Sequence, residues 1–378
     1  MDTAIYVHIP FCIKKCKYCS FNSIPYDKYI AERYAQALKA EIRLIREAKP
    51  DLHLEPSSLY IGGGTPTVLA QETLFGLIEV LVNELDIPAG TEATVEANPG
   101  AMGGLDLKAL LSLGINRVSL GVQSFDPGEL AMLGRIHGPT DVSSSFVRLR
   151  AAGFDNISLD LIYSLPGQDI KRWESNLDEA ISLGPEHIST YDLGIEEGTA
   201  LYGELKAGAL KLPPEPVQVE MYLMAVETLE AAGYKRYEIS NFARPGFECR
   251  HNINYWSCGE YIGLGAGAHS YSGGVRSKNT DSVNGYIEAL GAGRSPVTEE
   301  ETLTVDDMKR EFVMLGLRKS EGFSLEDYKC RFGGDMLNEK YGIIGNLTKA
   351  GYLVVAGGFI SLTTKGVLAS NYVIRELF

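Results

Sequence analysis

The sequence predicts an α/β fold: a TIM-like (β/α) barrel, closed or partial, followed by a small C-terminal α+β module of winged-helix type. Three observations predict it. Six short strand-like runs alternate with helical patterns over the first two thirds of the 378-residue chain, as expected of a parallel sheet with helices outside. Polar residues fall at the ends of successive strands, where a parallel barrel collects its chemistry. Near the C-terminus the pattern changes to helices and one hairpin. A doubly wound open sheet has the same periodicity and stands as the alternative.

In chain order, the strands are expected at residues 4–8, 58–61, 93–97, 117–121, 156–162 and 187–193. Helical patterns lie between them, at 28–49, 73–85, 107–113, 143–152 and 170–183. After about Cys258 glycines recur, and 291–302 reads as a linker. Residues 1–290 therefore form one domain and 303–378 a second. In the second, 306–317, 325–332 and 336–350 are helical, 352–355 and 359–362 form a hairpin through Ala356-Gly357-Gly358, and a last helix begins near Lys365. Residues 301–378 carry ten Lys/Arg and ten Asp/Glu, so this module suits protein contact better than DNA.

The net charge of −14 argues against wholesale nucleic-acid binding, which needs a basic face. The longest apolar runs are too short to span a bilayer. The N-terminus Met1-Asp2-Thr3-Ala4 has no basic region and no cleavable apolar stretch, so no secretory signal is expected. Six cysteines in such a chain fit a reducing cytoplasm, with peripheral membrane contact left open.

Cys12, Cys16 and Cys19 are spaced C-x3-C-x2-C directly after the first strand. Three thiolates on one loop suffice for three irons of a [4Fe-4S] cube, leaving the fourth iron to bind a small chelating molecule. A structural zinc site needs four ligands, and His8 precedes the loop with the wrong spacing. Buried free thiols remain the alternative. The next strand ends supply Gly62-Gly63-Gly64-Thr65-Pro66-Thr67, then Glu96, Gln123 and Asp160, with Arg135 one helix beyond the fourth strand. Gly63, Gly64 and Thr65 suit close backbone approach to an amino-acid moiety. Glu96 and Asp160 suit ammonium or ribose hydroxyls, and Arg135 a carboxylate. Together they suit a ligand with an amino acid at one end and a nucleoside at the other.

With these residues in view, the chain resembles the radical S-adenosylmethionine (SAM) superfamily. Within it, the resemblance is to the family of oxygen-independent coproporphyrinogen III dehydrogenase and the related haem chaperones. Tyr6-Val7-His8-Ile9-Pro10-Phe11-Cys12, Gly62 to Thr67, Gly121 to Phe125 and Asp160 to Gly167 carry it. Ser164 stands where glycine is expected. The resemblance implies a partial (β/α)6 barrel and a [4Fe-4S] cluster on Cys12, Cys16 and Cys19. It implies SAM contacts from Tyr6, Tyr18, Gly63, Gly64, Thr65, Glu96, Gln123, Arg135 and Asp160, and an electron-driven release of a 5′-deoxyadenosyl radical.

Two departures separate the chain from the dehydrogenase branch: Phe21 where that branch has another cysteine, and no counterpart of its long N-terminal extension. Decarboxylation of coproporphyrinogen III is therefore not the expected activity, although it is the alternative. His251-Asn252-Ile253-Asn254-Tyr255-Trp256 reproduces the H-N-x-x-Y-W motif of haem-binding members. The resemblance implies His251 as an axial ligand, with Tyr255 and Trp256 as flat apolar surface for the porphyrin. Lys235, Arg236, Arg244 and Arg250 are candidates for the propionates, and Cys249 and Cys258 read as buried thiols before second ligands. His8 is expected to help line the site; His137, His187 and His269 are expected to be structural. The expected function is haem delivery to client apo-haemoproteins, with an electron donor such as flavodoxin or a reduced ferritin-like protein, and a homodimer as one state.

Overall fold

The computed structural model describes residues 2–48 and 55–378. Six parallel strands follow one another in space as in sequence: β1 (Asp2–Ile9), β2 (Glu55–Gly63), β3 (Glu92–Ala97), β4 (Arg117–Gln123), β5 (Ile157–Tyr163) and β6 (His187–Asp192). A helix follows each: α1 (Lys28–Ala48), α2 (Gln71–Glu84), α3 (Leu107–Ser112), α4 (Pro139–Ala152), α5 (Ile170–Leu183) and α6 (Glu215–Ala231). The expected end of α1 at Lys49 lies outside the described residues. The sheet continues past β1 into a seventh parallel strand, β7 (Glu260–Leu264), and three antiparallel strands, Val297–Thr302 forming that edge. At the other end Asn241–Ala243 and Lys235–Arg236 add to β6. These two edges do not pair with each other, so the barrel is partial.

The strands alternate with period two, and the two faces differ in chemistry. Ile5, Val7, Leu59, Ile61, Val95, Val118, Leu120, Leu159 and Ile188 are fully buried in the layer between sheet and helices. The opposite face carries Tyr6, Tyr60, Glu96, Arg117, Ser119, Asp160 and His187. A closed TIM barrel fills its interior with branched apolar side chains. Here the concave face is polar and aromatic, which marks it as a ligand surface and not a core.

Some sequence readings are corrected. Helix α4 begins at Pro139, four residues before the expected start, with Asp141 accepting from the Gly138 N–H; proline at the first helical position explains the earlier start. The unread helix Pro127–Leu133 is capped by Asp126. The 291–302 segment is no simple linker. It contains the strand Val297–Thr302, every residue of which is exposed. An edge strand of this kind is held by backbone pairing alone, so V-T-E-E-E-T has no apolar alternation to read.

The C-terminal module has its own core around Phe312, Val313, Phe323, Tyr328, Ile344 and Leu347. Its helix 336–350 breaks at Lys340, and the last helix breaks at Ala369 into Thr364–Leu368 and Ser370–Leu377. The hairpin Leu353–Ala356 and Phe359–Leu362 gains a short third strand, Phe323–Ser324, giving the sheet of a winged-helix arrangement.

Glu41 ties the first helix to the far end of the sheet. Its buried carboxylate accepts from Gly265 N–H (2.9 Å), Asn279 Nδ2 (2.6 Å) and the Tyr286 hydroxyl (2.6 Å). Burial pushes it up to about 7, against these three hydrogen bonds.

Candidate functional site

After β1 the chain reverses. Phe11–Cys12 pairs with Ile24–Pro25, and Ile24 N–H and Tyr26 N–H donate to Pro10 O and Cys12 O, each at 2.8 Å. The loop is pinned from outside by Lys17 N–H on Leu133 O (3.0 Å) and Leu201 N–H on Lys17 O (2.9 Å). All three thiols then line one cavity of about 370 Å³ at the C-terminal ends of the strands. Arg135 Nη1 donates to Cys16 Sγ at 3.4 Å, and Thr65 Oγ1 to Cys12 Sγ at 3.9 Å. Burial pushes the Cys12 and Cys19 thiols up. Three soft sulfur donors on one wall, with a guanidinium to offset their charge, are a donor set suited to an iron–sulfur cluster.

Tyr18, Gly63, Gly64, Thr65, Glu96, Gln123, Arg135 and Asp160 line the same cavity, so the structure brings together most of the sequence-predicted set. The backbone N–H groups of the glycine loop are already used: Gly63 donates to Glu96 Oε2 (3.0 Å), Gly64 to Ile9 O (2.8 Å) and Thr65 to Phe11 O (2.8 Å). What these residues leave for a ligand is carbonyl oxygen and close approach. The approach is tight: a Cβ on Gly63, at φ +108°, would stand 2.5 Å from the His8 ring. Gln123 sits at φ +68°, next to a register shift between β4 and β5. Such a bulge redirects a side chain, here at a cavity residue. His137 Nε2–H holds the bulged Val122 carbonyl at 3.1 Å.

Glu96 accepts from the Tyr60 hydroxyl at 2.9 Å as well as from Gly63. Desolvation pushes its carboxyl up to about 7, against the Tyr60 hydrogen bond and with help from nearby Asp160. Asp160 is also raised by burial, and accepts from Ser189 Oγ (2.7 Å) and Ser119 Oγ (2.8 Å). Two desolvated carboxylates facing one cavity favour a cationic occupant. Arg135 donates through Nη2 to Gly121 O at 2.5 Å, and its buried Nε has no partner among the described residues.

A second cavity, of about 450 Å³, adjoins the first and shares Tyr60 and Glu96 with it. Its other walls include Tyr6, His8, His251, Tyr255 and Tyr261. Tyr6, grouped by sequence with the SAM contacts, faces this cavity instead. Its hydroxyl donates to His8 Nδ1 (3.0 Å), because His8 Nε2–H is committed to Asn22 O (2.8 Å). His269, expected to be structural, also lines it.

The H-N-x-x-Y-W segment is a short helix, α7 (Arg250–Trp256), seated in the barrel's concave face. Glu92 anchors it, accepting from Arg250 N–H (3.1 Å), His251 N–H (3.2 Å) and Cys249 Sγ (3.6 Å). His251 is 2% exposed. Its Nδ1 and Ser58 Oγ share a 2.9 Å hydrogen bond, while Nε2 is buried with no partner among the described residues. Desolvation, then Arg117, lowers its pKa to about 3, so the ring is neutral. Tyr255 meets it edge-on at 5.0 Å and faces the cavity. Trp256 does not share that face: Arg318 of the C-terminal module lies over its ring at 5.3 Å. None of Lys235, Arg236, Arg244 and Arg250 lines the cavity; Arg236 bonds Tyr222, and Arg244 lies over Tyr234 at 4.9 Å. Burial pushes Cys249 up to about 12 and Cys258 up to about 11; Cys249 is buried, whereas Cys258 is half-buried.

Sequence reasoning missed Ser58, Tyr60, Glu92, Ser119 and Tyr191. A signal existed for some of them. Glu92 and Ser119 lie four residues before Glu96 and Gln123 on their strands, so period-two alternation puts each pair on the same face, whereas no recognised site residue stood on the strand of Tyr191, which lines the first cavity.

Residues 6–180 match the family model described as the radical SAM superfamily, and 303–369 that of the HemN C-terminal domain. A Bacillus subtilis protein named "Heme chaperone HemW" is 38% identical over 372 residues, covering 97% of each chain. A protein of the same name from Mycobacterium tuberculosis is 34% identical, over 99% of this chain and 94% of its own. Among solved structures, the radical SAM enzyme coproporphyrinogen III oxidase (HemN) from Escherichia coli superposes with a TM-score of 0.85 at 24% identity, covering 100% of this chain and 90% of that one.

Proposed function

The chain belongs to the radical SAM superfamily and, within it, to the family of the haem chaperone HemW; from that premise we propose that it binds haem and delivers it to client haemoproteins. A [4Fe-4S] cluster on Cys12, Cys16 and Cys19, with SAM, would occupy the first cavity. A bound cluster with SAM supplies one-electron reductive chemistry. The chain's own residues do the rest. Arg135 offsets the sulfur charge beside Cys16. Glu96 would meet the amino acid's ammonium and Asp160 the ribose, with Gln123, at the bulge, as a further contact.

The observation that carries the haem reading is His251. One ring nitrogen is fixed by Ser58, and the other is buried without a partner among the described residues, on a side chain that lines an aromatic-walled cavity. Ligation through Nε2 requires Nδ1–H to donate to Ser58, which fixes the tautomer and orients the ring. Among the described residues no lysine or arginine lines that cavity, so basic groups outside it would have to meet the propionates. Phe21, exposed at the rim of the first cavity where the dehydrogenase branch has a cysteine, supports delivery over decarboxylation. Six free cysteines, and no helix among the described residues long and apolar enough to cross a membrane, support a cytoplasmic location.

The test uses anaerobically reconstituted full-length protein. Haemin titration should give a Soret spectrum that is lost or strongly shifted in His251→Ala. Incubation with SAM, reductant and coproporphyrinogen III should give no protoporphyrinogen. Product formation would replace this reading with the dehydrogenase one.

A further inference from the structure

Tyr60 stands between the two cavities. Among the described residues, it and Glu96 are the two that line both. Its hydroxyl donates to Glu96 Oε1 at 2.9 Å, while the other Glu96 oxygen is held by Gly63 in the first cavity. Its ring stacks on the His251 imidazole, centroids 4.9 Å apart and planes 25° apart. His251 in turn bonds Ser58, two residues before Tyr60 on the same strand. The packing leaves little slack: a Cβ on Gly62 would stand 2.8 Å from Glu96 and 2.9 Å from the Tyr60 ring. Nothing else in the mechanism uses Tyr60.

We propose that Tyr60 is a positioning residue that couples occupancy of the first cavity to the state of the His251 imidazole in the second. The coupling rests on the reading of the first cavity as the SAM site. A cationic group arriving at Glu96 competes for the carboxylate that the phenol now occupies. The phenol cannot follow the carboxylate without sliding its ring across His251, because ring and hydroxyl are one rigid body. The imidazole plane, and the direction of its unpartnered Nε2, therefore depend on what meets Glu96, the carboxylate held by Gly63. Coupling of this kind is reciprocal: whatever SAM does to a ligand at His251, that ligand does to SAM by the same factor.

The experiment uses full-length protein with reconstituted cluster, wild type and Tyr60→Phe, each saturated with SAM as read by equilibrium dialysis. The first readout is the rate of His251 modification by diethyl pyrocarbonate, followed by mass spectrometry, with and without SAM. It requires no haem. The second is haemin affinity with and without SAM. In the wild type SAM should change both by about fivefold or more. In Tyr60→Phe, which keeps the stacked ring and removes the link to Glu96, both ratios should fall toward one. Saturation with SAM that leaves wild-type His251 unchanged overturns the coupling alone. An undiminished ratio in Tyr60→Phe overturns the role of the hydroxyl. Failure of the wild type to retain SAM overturns the reading of the first cavity and the coupling with it. Loss of haemin binding with an intact SAM effect on His251 modification leaves the coupling standing and removes only the haem reading.

Discussion

Glycine and serine occupy two positive-φ backbone positions, Gly63 in the wall of the first cavity and Ser164 buried after β5, with opposite consequences. Gly63 is required by geometry, since any side chain would enter the His8 ring. Gly63→Ala should cost at least about 2 kcal/mol, from left-handed strain together with overpacking, and should reduce the iron content of the purified protein. Ser164, at φ +62°, holds the position where glycine was expected from sequence. Ser164→Gly relieves left-handed strain of about 1–2 kcal/mol and adds backbone entropy of about 0.5–1 kcal/mol to the unfolded chain. The expected result is a neutral to slightly stabilising change in chemical denaturation. Glu96 is the third informative residue. A carboxyl pushed up to about 7 by burial must lose its proton to meet an ammonium group. SAM binding near neutral pH should therefore release protons, and calorimetry in buffers of different ionisation enthalpy should detect them. Glu96→Gln should remove that release and weaken SAM binding by roughly tenfold or more, in line with loss of a hydrogen bond to a charged group.

At the scale of elements, the sheet reaches beyond six βα units because distant segments are bonded back onto the first. Helix α1 meets the β7 region through Glu41, whose oxygens serve donors from three later segments. Glu41→Ala strands three donors in a dry site and should cost about 3 kcal/mol or more, read as a fall in the urea midpoint. Helix α7 is placed the same way. Glu92, the first residue of β3, receives the N-terminal N–H groups of a helix more than 150 residues later. Elements of the parallel sheet were legible because their alternation is local. The edge strand Val297–Thr302 was not, because nothing in its side chains is buried.

For the whole molecule, the C-terminal module closes over the back of α7. Arg331 donates to Ser257 O (3.3 Å) and Cys258 O (3.4 Å), Lys319 to Ser257 Oγ (3.4 Å), and Ser320 N–H to Tyr237 O (2.9 Å). Arg331→Ala should loosen that closure, seen as a change in Trp256 fluorescence with little loss of global stability. The pH dependence of stability also belongs to this scale. Glu41 and Glu96 have folded values of about 7 against an ordinary 4.5, so the folded state holds extra protons between those limits and their contribution is lost as pH rises. His251 and His137 are lowered to about 3 and about 4 from an ordinary 6.5, so they act in the opposite sense below 6.5. Above 6.5 only the carboxylates remain of these four. The melting temperature of ligand-free protein should therefore fall between pH 6.5 and 7.5, and saturation with SAM should flatten that fall.

The sequence by itself determined which segments form the parallel strands, the cysteine loop that follows the first of them, and most of the residues that end the others. These are local properties: alternation with period two, cysteine spacing and glycine runs are all visible within about ten residues. Only the tertiary structure decided how the concave face divides into two cavities. It turned Tyr6 to the second and placed Tyr60 on the shared wall. It also left one nitrogen of His251 without a partner. The physical reason is distance along the chain. Ser58 and His251 are separated by 193 positions, and no local pattern specifies which buried groups will meet across such an interval once the sheet has curved around α7.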